Sequence, residues 1–327
     1  IYYALNLSMG ENREKNLGKI KTVKENSFII CENTCKSQFK DKIEITSSVP
    51  IKSYTNSKTE FFDNNLIPIG INKEKLEIEG NISQGNEVIL EIPIELNESE
   101  KKTINMIMGK ETQKYIENEK IENAIDEVYK YWNEKTGIIK VKTPSEKINI
   151  YMNTWLIYQT ITSRLNGKTG FYQSGGATGF RDQLQDTIGM KWIDVSLLEN
   201  QIKEQAKHQF YEGDVMHWWH TETKTGIRTK ISDDLLWLPY SVLEYIEFTE
   251  NMNFLDEKVE YSYGIELGEE KEKYDKFEYT KEKETIYEHC MKAINKSLNF
   301  GENGLPKIGT GDWNDGFNNI GAKGKGE

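Results

Sequence analysis

Two aspartates flank a tryptophan near the end of the chain, in the stretch "GTGDWNDG". Its glycines disfavour a helix, so we expect a tight loop that presents Asp312 or Asp315 beside Trp313. A carboxyl group held against an indole loses hydration, which raises its pKa toward the range that a general acid needs near neutral pH. Aspartates among glycines are also common turn formers, so these residues alone leave a catalytic and a structural interpretation open.

Arg181, Asp182 and Gln183 follow the glycine-rich stretch "SGGATGF" and begin a predicted helix. Glycines let the backbone approach a ligand closely, and an arginine beside an aspartate offers a forked donor and a bidentate acceptor, which suits sugar hydroxyls. The structural alternative is that Asp182 and Gln183 satisfy the start of the helix while Arg181 forms a surface ion pair.

The stretch "HWWH" is the third cluster with possible chemistry. His217 and His220 have the spacing of two metal ligands, but no third ligand follows at a recognised interval, so no metal is predicted. Trp218 and Trp219 either stack on sugar rings or belong to the core.

The stretch "SDDLLWL", further along, is typical of the start of a helix. We expect at least one of Ser232, Asp233 and Asp234 to be its N-cap.

The elements that must position these residues change character along the chain. From Ile1 to about Met108, apolar residues alternate with polar ones, as in "NEVILEIPIEL" and "TINMIMG", which predicts antiparallel β-structure with one dry face. A charged linker helix is predicted between Lys110 and Trp132. The apolar residues of its one face are Tyr115, Ile116, Ile121, Ile125, Val128 and Tyr129.

The rest of the chain is predicted to be helical throughout. Thr143 is the expected N-cap of the first helix, with Pro144 and Glu146 in its first turn and an end near Ser163. Further helices are expected at about Arg181 to Met190, Asp194 to Phe210, Asp233 to Glu250 and Thr285 to Asn299.

This order predicts a multidomain chain that is β first and α afterwards. Successive helices with long connecting loops are typical of an α/α toroid, in which the loops at one end form a funnel that a sugar can enter. The helices are too few to close such a toroid, so we expect the chain to be part of a longer protein.

Composition narrows the range of partners. A net charge of -11 opposes nucleic-acid binding, which needs clustered Lys and Arg. No apolar run approaches ~18 residues and no signal-peptide pattern occurs within these residues, so we expect no membrane contact and a cytoplasmic location. The cysteine count of 3 is odd, which favours structural thiols over a disulfide framework.

The three clusters, in this order, resemble glycoside hydrolase family 94. Its members are inverting disaccharide and oligosaccharide phosphorylases, and it includes the phosphorylase-like domain of cyclic β-1,2-glucan synthase. The resemblance is strongest from Ser145 to Gly326. Its motifs are "YQSGGATGFRDQLQD", "HWWH" followed by "GIRTKISDDLLWLPY", and "GTGDWNDGFNNIG".

The resemblance implies a reaction in which phosphate replaces the water of an inverting glycosidase. In this resemblance Asp315 is the general acid and Trp313 packs at the glucosyl site. Arg181 and Asp182 bind the hydroxyls of the glucosyl unit. It implies inorganic phosphate as co-substrate, no metal or organic cofactor, a β-glucan oligosaccharide as partner and a homodimer. The remaining candidate sugar-binding residues are Asp312 and Gln183.

The resemblance also implies a domain order. We expect the C-terminal part of a β-sandwich at 1–109, a linker helix region at 110–142 and the first part of an incomplete (α/α)6 barrel at 143–327. The family's phosphate-binding residues belong to later loops of the barrel, so this chain alone is expected to be inactive.

Two positions depart from the pattern of the family. Gly176 stands where cellobiose-type members carry an arginine, which places the chain nearer the β-1,2-glucan branch. Asn319 stands where relatives often have an arginine. The expected function is phosphorolysis of β-linked glucose oligosaccharides to glucose 1-phosphate. The alternatives are a module that sets chain length in a cyclic β-1,2-glucan synthase and a carbohydrate-binding remnant.

Overall fold

The computed structural model describes residues 1–9, 18–35, 42–76, 86–110, 112, 116–168, 176–314, 319–321 and 324–327. The chain divides into two compact units, Ile1–Lys130 and Tyr131–Glu327. The division falls within the region predicted to be a linker helix. None of the helices described is long and apolar enough to cross a membrane.

The first unit contains two antiparallel sheets, ordered β1-β6-β5 and β2-β3-β4-β7. Strands occur within both stretches whose alternation predicted them and pair antiparallel, which confirms the predicted β-structure. The expectation of one dry face is wrong for β6, because Val88 to Glu91 are buried on both faces of the strand. The strands are β1 Tyr2–Asn6, β2 Ile20–Glu25, β3 Phe28–Asn33, β4 Lys42–Ser47, β5 Ser53–Thr55, β6 Glu87–Glu91 and β7 Met106–Gly109.

One hydrophobic core is shared by the two sheets. Ile29 and Ile45 reach it from one sheet, and Val88 and Leu90 reach it from the other. Strand β3 alternates between buried and partly exposed residues, as expected of a strand with one dry face. Cys31 lies in this core as a free thiol, in line with the predicted structural role.

Helix α1 (Lys58–Phe61) is a single turn, and helix α2 (Asn118–Gly137) occupies much of the region predicted to be a linker helix. Val128 and Tyr129 belong to the predicted apolar face of α2, and their side chains are exposed. These two apolar side chains are therefore not covered by the part of the chain that the structure describes.

Helices in the second unit agree closely with the sequence pattern from Arg181 onward. Thr285 begins the last one through a capping box with Glu288, which satisfies the first backbone N–H groups of the helix. These helices are α3 Glu146–Ile150, α4 Leu156–Gln159, α5 Phe180–Met190, α6 Val195–Lys207, α7 Trp237–Thr249 and α8 Ile286–Ser297.

The N-cap predicted at Thr143 is wrong. Ser145 caps α3, because its side chain accepts from the N–H of Ile148, whereas the N–H of Thr143 donates to Asn149 Oδ1. Helical structure then continues past α3 through π-helical turns at Tyr151–Trp155 and Thr160–Asn166.

The expectation that the second unit is helical throughout is also wrong. A four-stranded antiparallel sheet has the order β12-β10-β9-β8, and β11 pairs with β13. Strands β9 and β10 form a local hairpin, whereas β8 pairs with β9 and β10 pairs with β12 across longer stretches of the chain. The strands are β8 Thr178–Gly179, β9 Met216–His220, β10 Thr225–Thr229, β11 Lys258–Tyr263, β12 Glu272–Lys276 and β13 Glu278–Thr285.

The core of the second unit joins the helices to this sheet. Phe180 and Leu184 of α5 and Leu198 of α6 are fully buried in the same cluster as Trp219 of β9. Helix α5 packs against both α6 and α7. The start of α5, where the predicted sugar-binding pair lies, is therefore held by rigid elements on several sides.

Candidate active site

The loop that precedes Trp313 is bonded to the chain around Ser232. The N–H and the hydroxyl of Ser232 both donate to the carbonyl oxygen of Gly311, at 3.0 and 3.2 Å. Gly309 has a φ of 68°, and a Cβ there would lie 2.1 Å from the carbonyl oxygen of Lys230. Only glycine permits this approach, so the prediction that glycines shape the loop is confirmed at Gly309.

Arg181 joins three segments of the site. Its Nη1 donates to both carboxylate oxygens of Asp233, at 3.1 and 3.2 Å, and to the carbonyl oxygen of Asp312 at 3.1 Å. The residue is only 6% exposed, so the alternative of a surface ion pair is wrong. A buried guanidinium thus fixes the start of α5 relative to the loop that carries Trp313.

Asp233 occupies the N-cap position of the helical turn that begins at Asp234, as predicted for one of these residues, but its side chain does not cap that turn. The carboxylate of Asp233 accepts no backbone N–H of the turn, and its Oδ2 accepts instead from Trp237 Nε1 at 3.0 Å, in addition to the bonds from Arg181. The Oδ2 of Asp234 lies 2.8 Å from His217 Nδ1. The N-cap position was therefore predicted correctly, whereas the long-range contacts of both carboxylates have no signal in the local sequence.

A β-bulge explains how His217 reaches that carboxylate. Ile227 and Arg228 of β10 pair with Trp218 and Met216 of β9, so the register skips His217. An extra residue in one strand of a pair redirects its side chain, which here faces the segment after β10. The described residues contain no group of three His, Cys, Asp or Glu that could hold a metal ion.

Burial dominates the electrostatics of Asp234. Desolvation raises the pKa of its carboxyl group, and the nearby His217 and Arg181 partly oppose that rise. Its Oδ1 lies 3.7 Å from Arg181 Nη1 and accepts no hydrogen bond within the described parts of the chain. Both aspartates therefore face the buried Arg181 guanidinium, Asp233 through hydrogen bonds and Asp234 at 3.7 Å.

Asp182 and Gln183 are placed differently although they are neighbours. The side chain of Asp182 is 53% exposed and lies 3.8 Å from Arg164 Nη2. Gln183 is buried, and its Oε1 accepts from the N–H of Gly179 at 2.6 Å, which satisfies the start of α5. Contact of either residue with a sugar stays a prediction.

A second carboxyl group lies one turn after Asp182 on α5. Asp186 Oδ2 accepts from Arg164 Nε at 2.8 Å. Burial raises the pKa of Asp186, Arg164 opposes the rise, and the charge of Asp182 adds to it. Arg164 thus lies between two carboxylates on the exposed side of α5.

Trp313 and Asp312 lie beside the start of α5. The indole of Trp313 is exposed, and its Nε1 donates to Gln185 Oε1 at 3.3 Å. Asp312 Oδ1 accepts from the N–H of Asn314 at 2.8 Å, so this carboxylate orders the loop. Asp315 lies outside the described residues, and its role as general acid stays a prediction.

The two tryptophans of the "HWWH" stretch lie on opposite faces of β9. Trp219 is fully buried and stacks on His208 with the ring centroids 3.7 Å apart, so for this residue the core interpretation is correct. Trp218 is only half-buried and contacts Tyr274 and His220 on the other face.

A cavity of about 1050 Å³ borders Asp233 on another side. Lys230, Gly309 and Phe300 are among the residues that line it, and Asp182 and Trp313 are not. The candidate sugar-binding residues therefore do not belong to this cavity.

Comparison with known proteins decides the family. Residues 131–327, more than half of the chain, match the family model for the glycosyl hydrolase 94 superfamily, catalytic domain. The chain belongs to this family. The match begins at the first residue of the second compact unit and ends at its last, so the similarity to the catalytic domain lies in that unit. Membership implies an architecture of the (α/α)6-barrel type.

Named relatives include a synthase and several phosphorylases. The chain is 42% identical over 205 residues to the cyclic beta-(1,2)-glucan synthase NdvB of Rhizobium meliloti. The aligned stretch covers 62% of the chain and 7% of that protein. It is 31% identical over 201 residues to the solabiose phosphorylase of Paenibacillus borealis, covering 59% of the chain and 22% of that enzyme. With the N,N'-diacetylchitobiose phosphorylase of Vibrio furnissii the identity is 24% over 234 residues, covering 63% of the chain and 27% of that enzyme. The chain thus spans well under a third of the length of these relatives.

Proposed function

We propose that the protein catalyses the inverting phosphorolysis of β-linked glucose oligosaccharides to glucose 1-phosphate. Family membership supports this reaction class. The observation that links the reaction to particular residues is the hydrogen bond from Arg181 to the carbonyl oxygen of Asp312. This bond brings together the two motifs that the resemblance assigns to sugar binding and to the general acid.

The chemistry needs one acid and one nucleophile. Phosphate attacks the anomeric carbon on one face of the sugar, and a carboxylic acid on the other face protonates the departing glycosidic oxygen. We assign the acid to Asp315 and the binding of glucosyl hydroxyls to Asp182, with Arg181 holding the loop. Phosphate already carries negative charge, so a second carboxylate is not required as a base.

We also propose a finer architecture. The first unit would be the C-terminal part of a β-sandwich, α2 the linker helix, and the second unit part of an (α/α)6 barrel. The two sheets that share a core in the first unit support this arrangement. A homodimer, a cytoplasmic location and the need for no cofactor stay predictions.

Asp315→Asn tests the assignment of the acid in the complete protein. Loss of a positioned proton donor typically costs ~10²- to 10⁴-fold in rate, so phosphate-dependent release of glucose 1-phosphate should fall by that factor while oligosaccharide binding remains. Cellobiose and β-1,2-glucooligosaccharides, each with and without phosphate, are the test substrates. Asp275→Asn, an exposed aspartate on β12, is the control. Near-normal turnover of Asp315→Asn would show that the acid lies elsewhere.

A second function is favoured by one observation. Identity to the cyclic beta-(1,2)-glucan synthase is 42%, against 31% for the solabiose phosphorylase. The module would then shorten or size β-1,2-glucan chains inside a synthase. Incubation with β-1,2-glucans of graded length separates the two, because a sizing module should act on long chains and a free phosphorylase on short ones. Binding without any phosphate-dependent turnover would instead indicate a carbohydrate-binding remnant.

A further inference from the structure

One face of the four-stranded sheet carries a row of side chains that faces away from the core. Trp218 of β9 and Tyr274 of β12 both pair with Ile227 of β10, so all three project from the same face. The rings of Trp218 and Tyr274 meet with their centroids 5.5 Å apart. Trp219, the next residue on β9, points into the core instead.

This aromatic row continues to the start of α5. Gly179 of β8 pairs directly with Trp218, so the missing side chain of Gly179 would project from the same face. A Cβ on Gly179 would lie 3.1 Å from both Cβ and Oδ2 of Asp182. The carboxylate of Asp182 therefore stands over Gly179, and no side chain of β8 separates it from the Trp218 ring.

Polar groups border the row. The hydroxyl of Tyr274 donates to Thr225 Oγ1 at 2.9 Å, and Thr225 is hydrogen-bonded in turn to Thr223 at 2.7 Å. The His220 ring lies 5.7 Å from that of Trp218. Aromatic faces bordered by hydroxyls and an imidazole match the surface of a sugar, which has apolar C–H faces and a rim of hydroxyls.

We propose that Trp218 and Tyr274 form an additional sugar-binding subsite, which holds glucosyl units next to the one bound at Asp182. The inference rests on the proposed function, because Asp182 must contact the substrate. Neighbouring strands are ~4.8 Å apart, so the row extends roughly 14 Å from Gly179 to Tyr274. That reach exceeds a single sugar ring, and the subsite therefore favours longer chains.

The test compares substrates of different length. In Trp218→Ala and Tyr274→Ala of the complete protein, the ratio of kcat/KM for a β-1,2-glucan pentasaccharide to that for the disaccharide should fall roughly three- to tenfold. Tyr263→Ala removes an aromatic ring that is equally exposed but lies on β11, outside the row, and should leave the ratio unchanged. An unchanged ratio in both test variants overturns the proposal.

An exposed variant site and a binding measurement without phosphate keep the result unambiguous. Tyr274 is 47% exposed, so its truncation should not prevent folding even if that of Trp218 does. If no β-glucan is phosphorolysed, the proposed function fails, and calorimetric titration of the pentasaccharide without phosphate decides the subsite alone. Weaker binding by Tyr274→Ala supports the subsite. Unchanged binding, or a change only in oligomeric state, shows that the row serves the sheet or a protein contact.

Discussion

Asp233 holds the buried Arg181 guanidinium, so its removal should be among the more costly single changes in the second unit. Asp233→Ala leaves a cation that is only 6% exposed without its main acceptor, and it also removes the acceptor of Trp237 Nε1. Loss of one partner of a fully buried ion pair typically costs ~3 to 5 kcal/mol. The Asp233 side chain is 21% exposed, so water can compensate in part, and we expect about 3 kcal/mol.

A double-mutant cycle isolates the interaction itself. Arg181→Met removes the cation, and the double variant has neither charge. Because the two residues are in direct contact, their effects on the free energy of unfolding should be non-additive by about 2 kcal/mol. Glu278→Ala, which breaks an exposed ion pair with Lys224, is the control and should cost under about 1 kcal/mol.

Tryptophan fluorescence during urea unfolding is a suitable assay. All 7 tryptophans lie between positions 132 and 313, whereas the first unit ends at Lys130, so the signal reports the second unit alone. A cost below about 1 kcal/mol for Asp233→Ala, or additivity within about 0.5 kcal/mol, would refute the idea that this pair holds the site together.

Three further predictions concern stability and reactivity. Burial lowers the pKa of His208 to about 3, below the ~6.5 of the unfolded chain, so stability is lost as pH falls from ~6.5 toward 3. The loss of unfolding free energy between pH 7 and 5 should be about 2 kcal/mol smaller in His208→Gln, and an equal loss would contradict this. Gly309→Ala should lower the free energy of urea unfolding more than Gly268→Ala does. Both glycines have positive φ, but only a Cβ at position 309 would meet the Lys230 carbonyl oxygen. Equal losses of unfolding free energy would argue against that contact. Burial raises the pKa of Cys290 to about 12, so a thiol reagent at pH 8 should label it only after denaturation, as mass spectrometry would show; rapid labelling of the native protein would contradict its burial.

Short-range signals in the sequence were reliable where a segment carries its own information. The capping box of Thr285 and Glu288 begins α8 where expected, and the alternation around Val88 marks β6. The three motifs, each a short continuous stretch, also indicated the family to which the chain belongs. Capping and alternation involve residues only a few positions apart, so the sequence shows both partners together.

Other assignments were wrong because the observed partners differ from those that the local pattern indicates. Thr143 is a residue type that often caps helices, but its backbone N–H donates to Asn149 Oδ1, and Ser145 caps the helix instead. Asp233 stands at an N-cap position as expected, but its carboxylate binds a buried arginine instead of the backbone N–H groups of the helix. The "HWWH" segment lies in the region predicted to be helical, and it forms a strand because β10 and β8 pair with it.

The sequence by itself determined the residue types of the candidate site and the local elements that carry them, because capping and alternation act over a few positions. Only the tertiary structure decided which of these residues meet. Arg181 and Asp312 are 131 positions apart, and no local pattern encodes the hydrogen bond between them. Burial makes that contact selective, since a guanidinium removed from water must find its acceptors wherever the fold brings them.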